Sequence, residues 1–237
     1  MCNDVTQGSL SRVHGSRPGL PRGRSSLPAE VVGPAQRDRL IRAMIAATAE
    51  LGYAQVMVAD VVKRARVSRK TFYVHFADKE ECFLAANDLG VEQMFTRIAV
   101  EVSAAAEGQD GPDAVVRLRA GLRGYLCFLS DEPEFARTFL VEGLAAGPRA
   151  LERFEAAHRR FADLTRRWYE RALPEHEGWP AVPPDAYTAI VGALHELVTV
   201  RVRGGRTAEL PTLEDTALRI HLALLTGWPT KPDPGGR

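Results

Sequence analysis

Residues 56–83 read V-M-V-A-D-V-V-K-R-A-R-V-S-R-K-T-F-Y-V-H-F-A-D-K-E-E-C-F, and this stretch decides the fold. Val58, Val61, Val62 and Ala65 fall on one stripe of a short helix. Ser68 is a capping residue that opens a second short helix, with Phe72 and Phe76 as its apolar anchor at i, i+4 spacing. Its polar sides carry Arg69, Lys70, Thr71, Tyr73 and His75. Two short helices joined by a tight turn, the second apolar behind and cationic in front, have the shape and chemistry that a DNA major groove demands.

Outward from this stretch the chain reads as helix throughout. Leu40, Ile41, Met44, Ile45, Thr48 and Leu51 form one stripe, which Gly52 stops. Asp78 is an N-cap, with Glu80 and Glu81 in the first turn of a long helix running to about Ala106. Beyond the break at 108–112, helices are expected at 113–130, 132–146, 148–173, 184–203 and 212–227, separated by proline and glycine breakers. No segment alternates as a strand does. The fold class is therefore all-α: a three-helix DNA-binding domain with a helix-turn-helix, then a larger bundle, about nine helices in total. The domain reading is a disordered Arg-containing extension at 1–34, the DNA-binding domain at 35–84, a ligand-binding and dimerisation domain at 85–228, and a disordered tail at 229–237.

Composition narrows the partners. The net charge is +1, but it divides into +2 over 1–34, +3 over 35–85 and −4 over 86–237, so the front of the chain suits a polyanion. No apolar run is long enough for a membrane span, and residues 1–30 hold no secretory apolar stretch, so a cytoplasmic location is expected. Cys2, Cys82 and Cys127 are too scattered for a zinc site or a disulfide framework and read as reduced thiols. No nucleophile elbow, phosphate-binding glycine loop or paired acidic motif is present. No enzyme activity, cofactor or metal is expected.

At the level of motifs, residues 40–84 resemble the N-terminal domain of the TetR/AcrR family of bacterial transcriptional regulators. The resemblance is carried by Ala47, Leu51-Gly52-Tyr53, Asp60-Val61, Arg64-Ala65, Val67 through Phe76, Asp78-Lys79-Glu80 and Phe83. It implies that the helix opening at Ser68 enters the major groove. Arg69, Lys70 and Val74 then face base edges: Arg for a guanine, Val for a thymine methyl. Thr71, Tyr73, His75 and Lys79 match positions that grip phosphates and fix register. Two positions depart from the family. Met57 stands where Ser or Thr caps the preceding helix, and Arg66 stands where the turn has Gly.

The remainder of the chain supplies two further expectations. In the last two helices Tyr187, Ile190, Leu194 and Leu197, with Leu218, Leu222 and Leu225, form apolar faces. Ala189, Gly192 and Ala193 lie outside the stripe of the first of these helices and would let a partner helix approach. The resemblance makes these helices a homodimer seam, which implies a palindromic operator. Met94, Phe95, Tyr125, Phe128, Phe139 and Phe161, with His158 and His195, are the candidate lining of a pocket for a small effector. Glu142 is a further polar candidate there. The expected function is a DNA-binding repressor released from its operator by a small, mostly apolar ligand. Within the class the alternative is an activator or a partner-controlled regulator. Outside it, the alternative is a helical small-molecule-binding protein or enzyme with a vestigial helix-turn-helix.

Overall fold

The structure is a computed structural model that describes residues 10–13, 29–106 and 113–228. Its described residues form nine α-helices and no strand. These are α1 (Ala29–Leu51), α2 (Val58–Ala65), α3 (Arg69–His75), α4 (Lys79–Ala106), α5 (Ala114–Asp131), α6 (Pro133–Arg137), α7 (Pro148–Ala172), α8 (Pro184–Arg203) and α9 (Glu214–Thr226). The all-α reading is thus met, and most helix ends fall where the breakers place them. None of the described helices is long and apolar enough to cross a membrane.

Part of the extension read as disordered is ordered. Residues 10–13 form a turn, and α1 begins at Ala29, six residues before the expected start, with Pro34 inside it. A proline this early deletes one intrahelical hydrogen bond without ending the helix. The tail at 229–237 lies outside the described residues.

The described residues group into two compact units. The first runs to Met94 and adds Leu129–Phe154; the second holds Phe95–Phe128 and the chain from Glu155. In the first, Leu40, Met44 and Ile45 of α1, Val61 and Ala65 of α2, Phe72 of α3 and Phe76 just after it are buried. The Tyr53 and Phe83 rings pack at 4.6 Å. Gly90 on α4 permits a close approach: a Cβ there would lie 2.0 Å from the Phe135 ring. Cys82 is a free, buried thiol facing the Leu40 carbonyl at 3.8 Å, and burial pushes it well above its ordinary range. It fits the expected reduced state. Cys127 does not, because it is disulfide-bonded.

The helix expected over 132–146 is broken into three. After α6 comes one π-helical turn, Thr138–Glu142, then a 3₁₀ turn, Gly143–Ala146, ended by Gly147 at φ 104°. Within this stretch the Thr138 hydroxyl donates to the Ile45 carbonyl of α1 at 3.3 Å. Single π turns of this kind interrupt helices mostly where a side chain or a function demands it.

The second unit is built on Tyr169. Its ring stacks on Trp179 at 5.3 Å and packs with Tyr187, Ile190 and Leu225, and its hydroxyl lies within hydrogen-bond distance of the Pro180 and Leu225 carbonyls. Trp168 Nε1 donates to the Ala114 carbonyl at 2.7 Å. Arg119 and Arg123 of α5 pair with Glu214 at the start of α9. These contacts show how much of the expected seam is used within one chain. Tyr187, Ile190, Leu194, Leu218 and Leu225 are buried inside their own unit, while Leu197 and Leu222 are half-buried. The faces left open carry Ala189, Gly192, Glu196 and Val200 on α8, and Arg219 and Ala223 on α9. A bulky apolar stripe fills the nearest core, so the small residues beside it are what remain outside.

Candidate nucleic-acid interface

The turn and the two short helices are held by local bonds. Ser68, in extended conformation, accepts the Thr71 N–H at 3.0 Å, and the two hydroxyls lie 2.8 Å apart. This is the N-cap that the sequence announces. Phe72 and Phe76 are buried behind α3, with rings 5.8 Å apart. The opposite side is open: Arg69, Lys70, Tyr73 and Val74 are exposed, Val74 at 72%. An isolated valine so exposed has no packing reason to be there, and a thymine methyl would supply one. Arg69 reaches along the helix to the Tyr73 ring, its guanidinium 5.8 Å from the ring centre.

The two departures from the family have different outcomes. Met57 caps nothing with its side chain, but the Asp60 carboxylate accepts the Met57 N–H at 2.9 Å. One half of a capping box therefore survives. Asp60 three residues after the helix boundary was the signal for it. Arg66 has no such relief. It sits in the left-handed region at φ 53°, ψ 45°, and is the one described non-glycine residue with positive φ. Its N–H donates to the Lys63 carbonyl, and the Val67 N–H to the Val62 carbonyl. That pair of bonds is the glycine-favouring Schellman ending, so the turn keeps its geometry and carries a strained arginine.

The four expected phosphate grips are not equivalent. Tyr73 is exposed on the open side, where its hydroxyl lies 3.5 Å from the Arg69 guanidinium. Thr71 is half-buried with its hydroxyl engaged by Ser68. Lys79 donates from Nζ to the Tyr53 carbonyl at 2.9 Å and lies 4.2 Å from the centre of the Tyr53 ring. His75 turns toward α1. A Cβ on Gly33 would lie 4.0 Å from its Cε1, and its Nε2 is buried without a hydrogen-bond partner. Burial, and then the Arg37 charge, lower its pKa. The first turn of α4 is also occupied: Asp78 accepts the Glu81 N–H, and Glu81 accepts the Ala77 N–H.

A link that the sequence does not announce ties this region to the π turn. The Tyr53 N–H donates to Glu142 Oε2 at 3.1 Å, and Glu142 also faces Arg137 at 3.6 Å. Glu142 therefore bonds the α1–α2 loop instead of standing as a spare polar group. Residues 89 apart in sequence with no shared motif leave no sequence signal for such a bond.

The candidate ligand residues divide between the two units. In the second, Phe95 packs on Phe161 at 4.5 Å, Tyr125 meets Phe161 edge-on at 5.3 Å, and His158 meets His195 edge-on at 4.8 Å. His158 and Phe161 share a face of α7 by their spacing. Arg160 lies 3.8 Å over the Phe95 ring. Phe128 is buried in this unit as well. Met94 and Phe139 belong to the first unit. Met94 is fully buried, and Phe139 stacks on Phe135 and packs on Phe154. Burial lowers the pKa of both histidines, that of His158 to about 4. Among the described residues no group of three or more His, Cys, Asp or Glu is placed to hold a metal.

Comparison with known proteins agrees with this geometry. Residues 40–86 match the family model described as bacterial regulatory proteins, tetR family. No curated protein sequence matches the chain. Among solved structures, the fatty acid degradation regulator FadR from Bacillus halodurans superposes with a TM-score of 0.67 at 21% identity, over 83% of this chain and 97% of that one. FadR from Bacillus subtilis, in complex with stearoyl-CoA, gives 0.65 at 18% identity over 79% and 97%. A TetR transcriptional regulator from Chloroflexus aurantiacus gives 0.62 at 21% identity over 81% and 96%. At these identities the solved structures establish the shared fold, while the matched domain carries the helix-turn-helix just described. Together they show a DNA-binding domain of the tetR type at residues 40–86, within a fold that these regulators share.

Proposed function

We propose that this chain is a transcriptional regulator of the TetR family, a repressor that binds a palindromic operator as a homodimer and is released by a small, mostly apolar ligand. The open side of α3 carries the reading. Arg69 and Lys70 read base edges, Val74 meets a thymine methyl, and Tyr73 grips a phosphate. Thr71 and Lys79 support that surface through Ser68 and Tyr53 and reach phosphates only secondarily. His75 is assigned to packing against α1. The dimer seam is assigned to the small-residue faces of α8 and α9, where two backbones can approach closely. The test is binding to the DNA upstream of the chain's own gene at two salt concentrations. Specific binding should weaken steeply with salt, each neutralised phosphate contributing about −0.9 to the log–log slope. A flat salt dependence with no preferred site would overturn the reading.

The effector is assigned to the Phe95, Tyr125 and Phe161 cluster with the His158–His195 pair at its polar end. Aromatic walls with a few polar groups are the usual makeup of such sites. The stearoyl-CoA carried by the Bacillus subtilis relative makes a long acyl thioester the first compound to try. Adding it should lower operator affinity, and Phe161→Ala should blunt that response. An operator complex indifferent to every acyl chain length would remove acyl compounds from consideration.

A further inference from the structure

We infer that residues 10–13 are a docked latch: Leu10 plugs a socket beside the junction of α1 and α6, and Glu132 holds its backbone, all within one chain. Leu10 is completely buried, although the described segment to which it belongs is only four residues long. Its N–H donates to Glu132 Oε2 at 2.6 Å across 122 residues of sequence. Glu132 is itself buried and stands immediately before Pro133, at the start of α6. Its carboxylate makes no capping bond to that helix and is turned to Leu10 instead.

Burying a carboxylate is unfavourable unless it is hydrogen-bonded. The side chains whose charges act on Glu132 are Asp131 of α5, Glu134 of α6 and Arg42 of α1, and Arg42 already bonds Asp38. Two of these three are acidic, so the neighbourhood does little to favour a third negative charge. The peptide N–H of Leu10 donates directly to this group. A buried acceptor and a buried apolar plug, both met by one residue of the arm, are what a peptide-binding socket requires.

The chain connecting Val13 to Ala29 holds fifteen residues. Fully extended it reaches at most about 50 Å, enough to return to α6 from the start of α1. Tethering raises the effective concentration of the segment at its socket, so a single copy suffices. Docking there fastens α6 at its junction with α1, the helix against which α2 and α3 pack. A consequence for operator affinity rests on the proposed function; the docking itself does not.

Hydrogen exchange of the full chain, read by mass spectrometry on the segment containing Leu10, tests the latch without DNA. The Leu10 amide should be protected at least 100-fold over an unstructured amide, and equally so across a 100-fold dilution. Leu10→Gly should abolish the protection. Glu132→Gln, which keeps an oxygen acceptor but loses its charge, should reduce it about tenfold. Exchange of α5 and α8 should be unchanged in both variants, which verifies that they fold. An unprotected Leu10 amide in the natural chain, or protection that neither variant alters, would overturn the latch. Protection lost on dilution would move the socket's occupant to the arm of a second copy and overturn docking in cis.

Discussion

Helices α3 and α8 carry similar apolar stripes and use them alike, but only one of them advertises its outer face. In α3 the stripe of Phe72 and Phe76 is buried, and the face opposite is rich in chemistry: Arg69, Lys70, Tyr73 and Val74. In α8 the stripe of Tyr187, Ile190 and Leu194 is also buried, and the face opposite is mostly small and apolar: Ala189, Gly192 and Val200, with Glu196 among them. A polar outer face declares a partner through its donors and acceptors. A face of small residues declares one only through what it leaves out. The apolar stripe of each helix therefore finds the core, and the proposed partner surface lies beside it.

The largest effect that can break this comparison is on α8. Ile190→Ala should cost about 2–5 kcal/mol of stability, the range for a large-to-small change in a packed core. Because Ile190 is fully buried within its own unit, that cost should not depend on protein concentration. Gly192→Leu should cost the protomer little, since a Cβ at Gly192 meets nothing within 4 Å. It should nevertheless dissociate the proposed dimer, as sedimentation would report. If Ile190→Ala dissociates the dimer and Gly192→Leu does not, the inward and outward faces of α8 have been exchanged.

On α3 the corresponding change is Arg69→Ala. It should cost about 1–3 kcal/mol of operator affinity, roughly a 5- to 150-fold loss, and relax preference at one base position. Lys79→Ala should act otherwise. It should weaken binding to all sequences alike and lower the melting temperature, because Lys79 holds the Tyr53 carbonyl. Competition binding against operators varied one base at a time separates the two. Equal relaxation by both would dissolve the division between readers and supports.

The same contrast explains what was legible in sequence. The helix-turn-helix was readable because its determinants are local: Ser68 caps Thr71, Phe72 meets Phe76, and Gly52 ends α1, all within a few residues. The long helices were readable from their breakers. Contacts between distant residues were not. Glu142 to Tyr53 and Glu132 to Leu10 join positions 89 and 122 apart, and no periodicity encodes them. The orientation of His75 was hidden for the same reason, because its motif position says nothing of how closely α1 lies against it. The π turn at 138–142 escaped because its residues have ordinary helical propensities and the deviation comes from packing.

The inward face of α8 also makes a pH prediction. His195 and His158 meet in partly buried surroundings, and burial, then the neighbouring His195, hold His158 at about 4 against an ordinary 6.5. A histidine with a depressed folded pKa binds its proton more readily when unfolded. Its stabilising contribution is therefore complete above about pH 6.5 and lost as pH falls toward 4. His158→Gln should flatten the fall in melting temperature between pH 6.5 and 4.5. An acid response identical to that of the natural chain would place the pair in water and would weaken its assignment to the polar end of the ligand site.

The smallest expected effect lies at the turn between α2 and α3, where the outer face of the DNA-binding region carries a cost that α8 does not. Arg66 holds φ 53° without glycine's freedom. A left-handed conformation costs an L-residue about 1–2 kcal/mol, and glycine's greater freedom when unfolded returns about 0.5–1 kcal/mol of that. Arg66→Gly should therefore raise stability by up to about 1 kcal/mol, a few degrees in melting temperature. Unaltered or lower stability would mean that the turn stores no strain. The salt slope of operator binding adds a second reading of the same variant. If Arg66 neutralises a phosphate, the slope should shrink by about 0.9. A strained arginine on a DNA-facing turn would then be kept for its charge, in line with the polar face of α3 and in contrast to the mostly apolar face of α8.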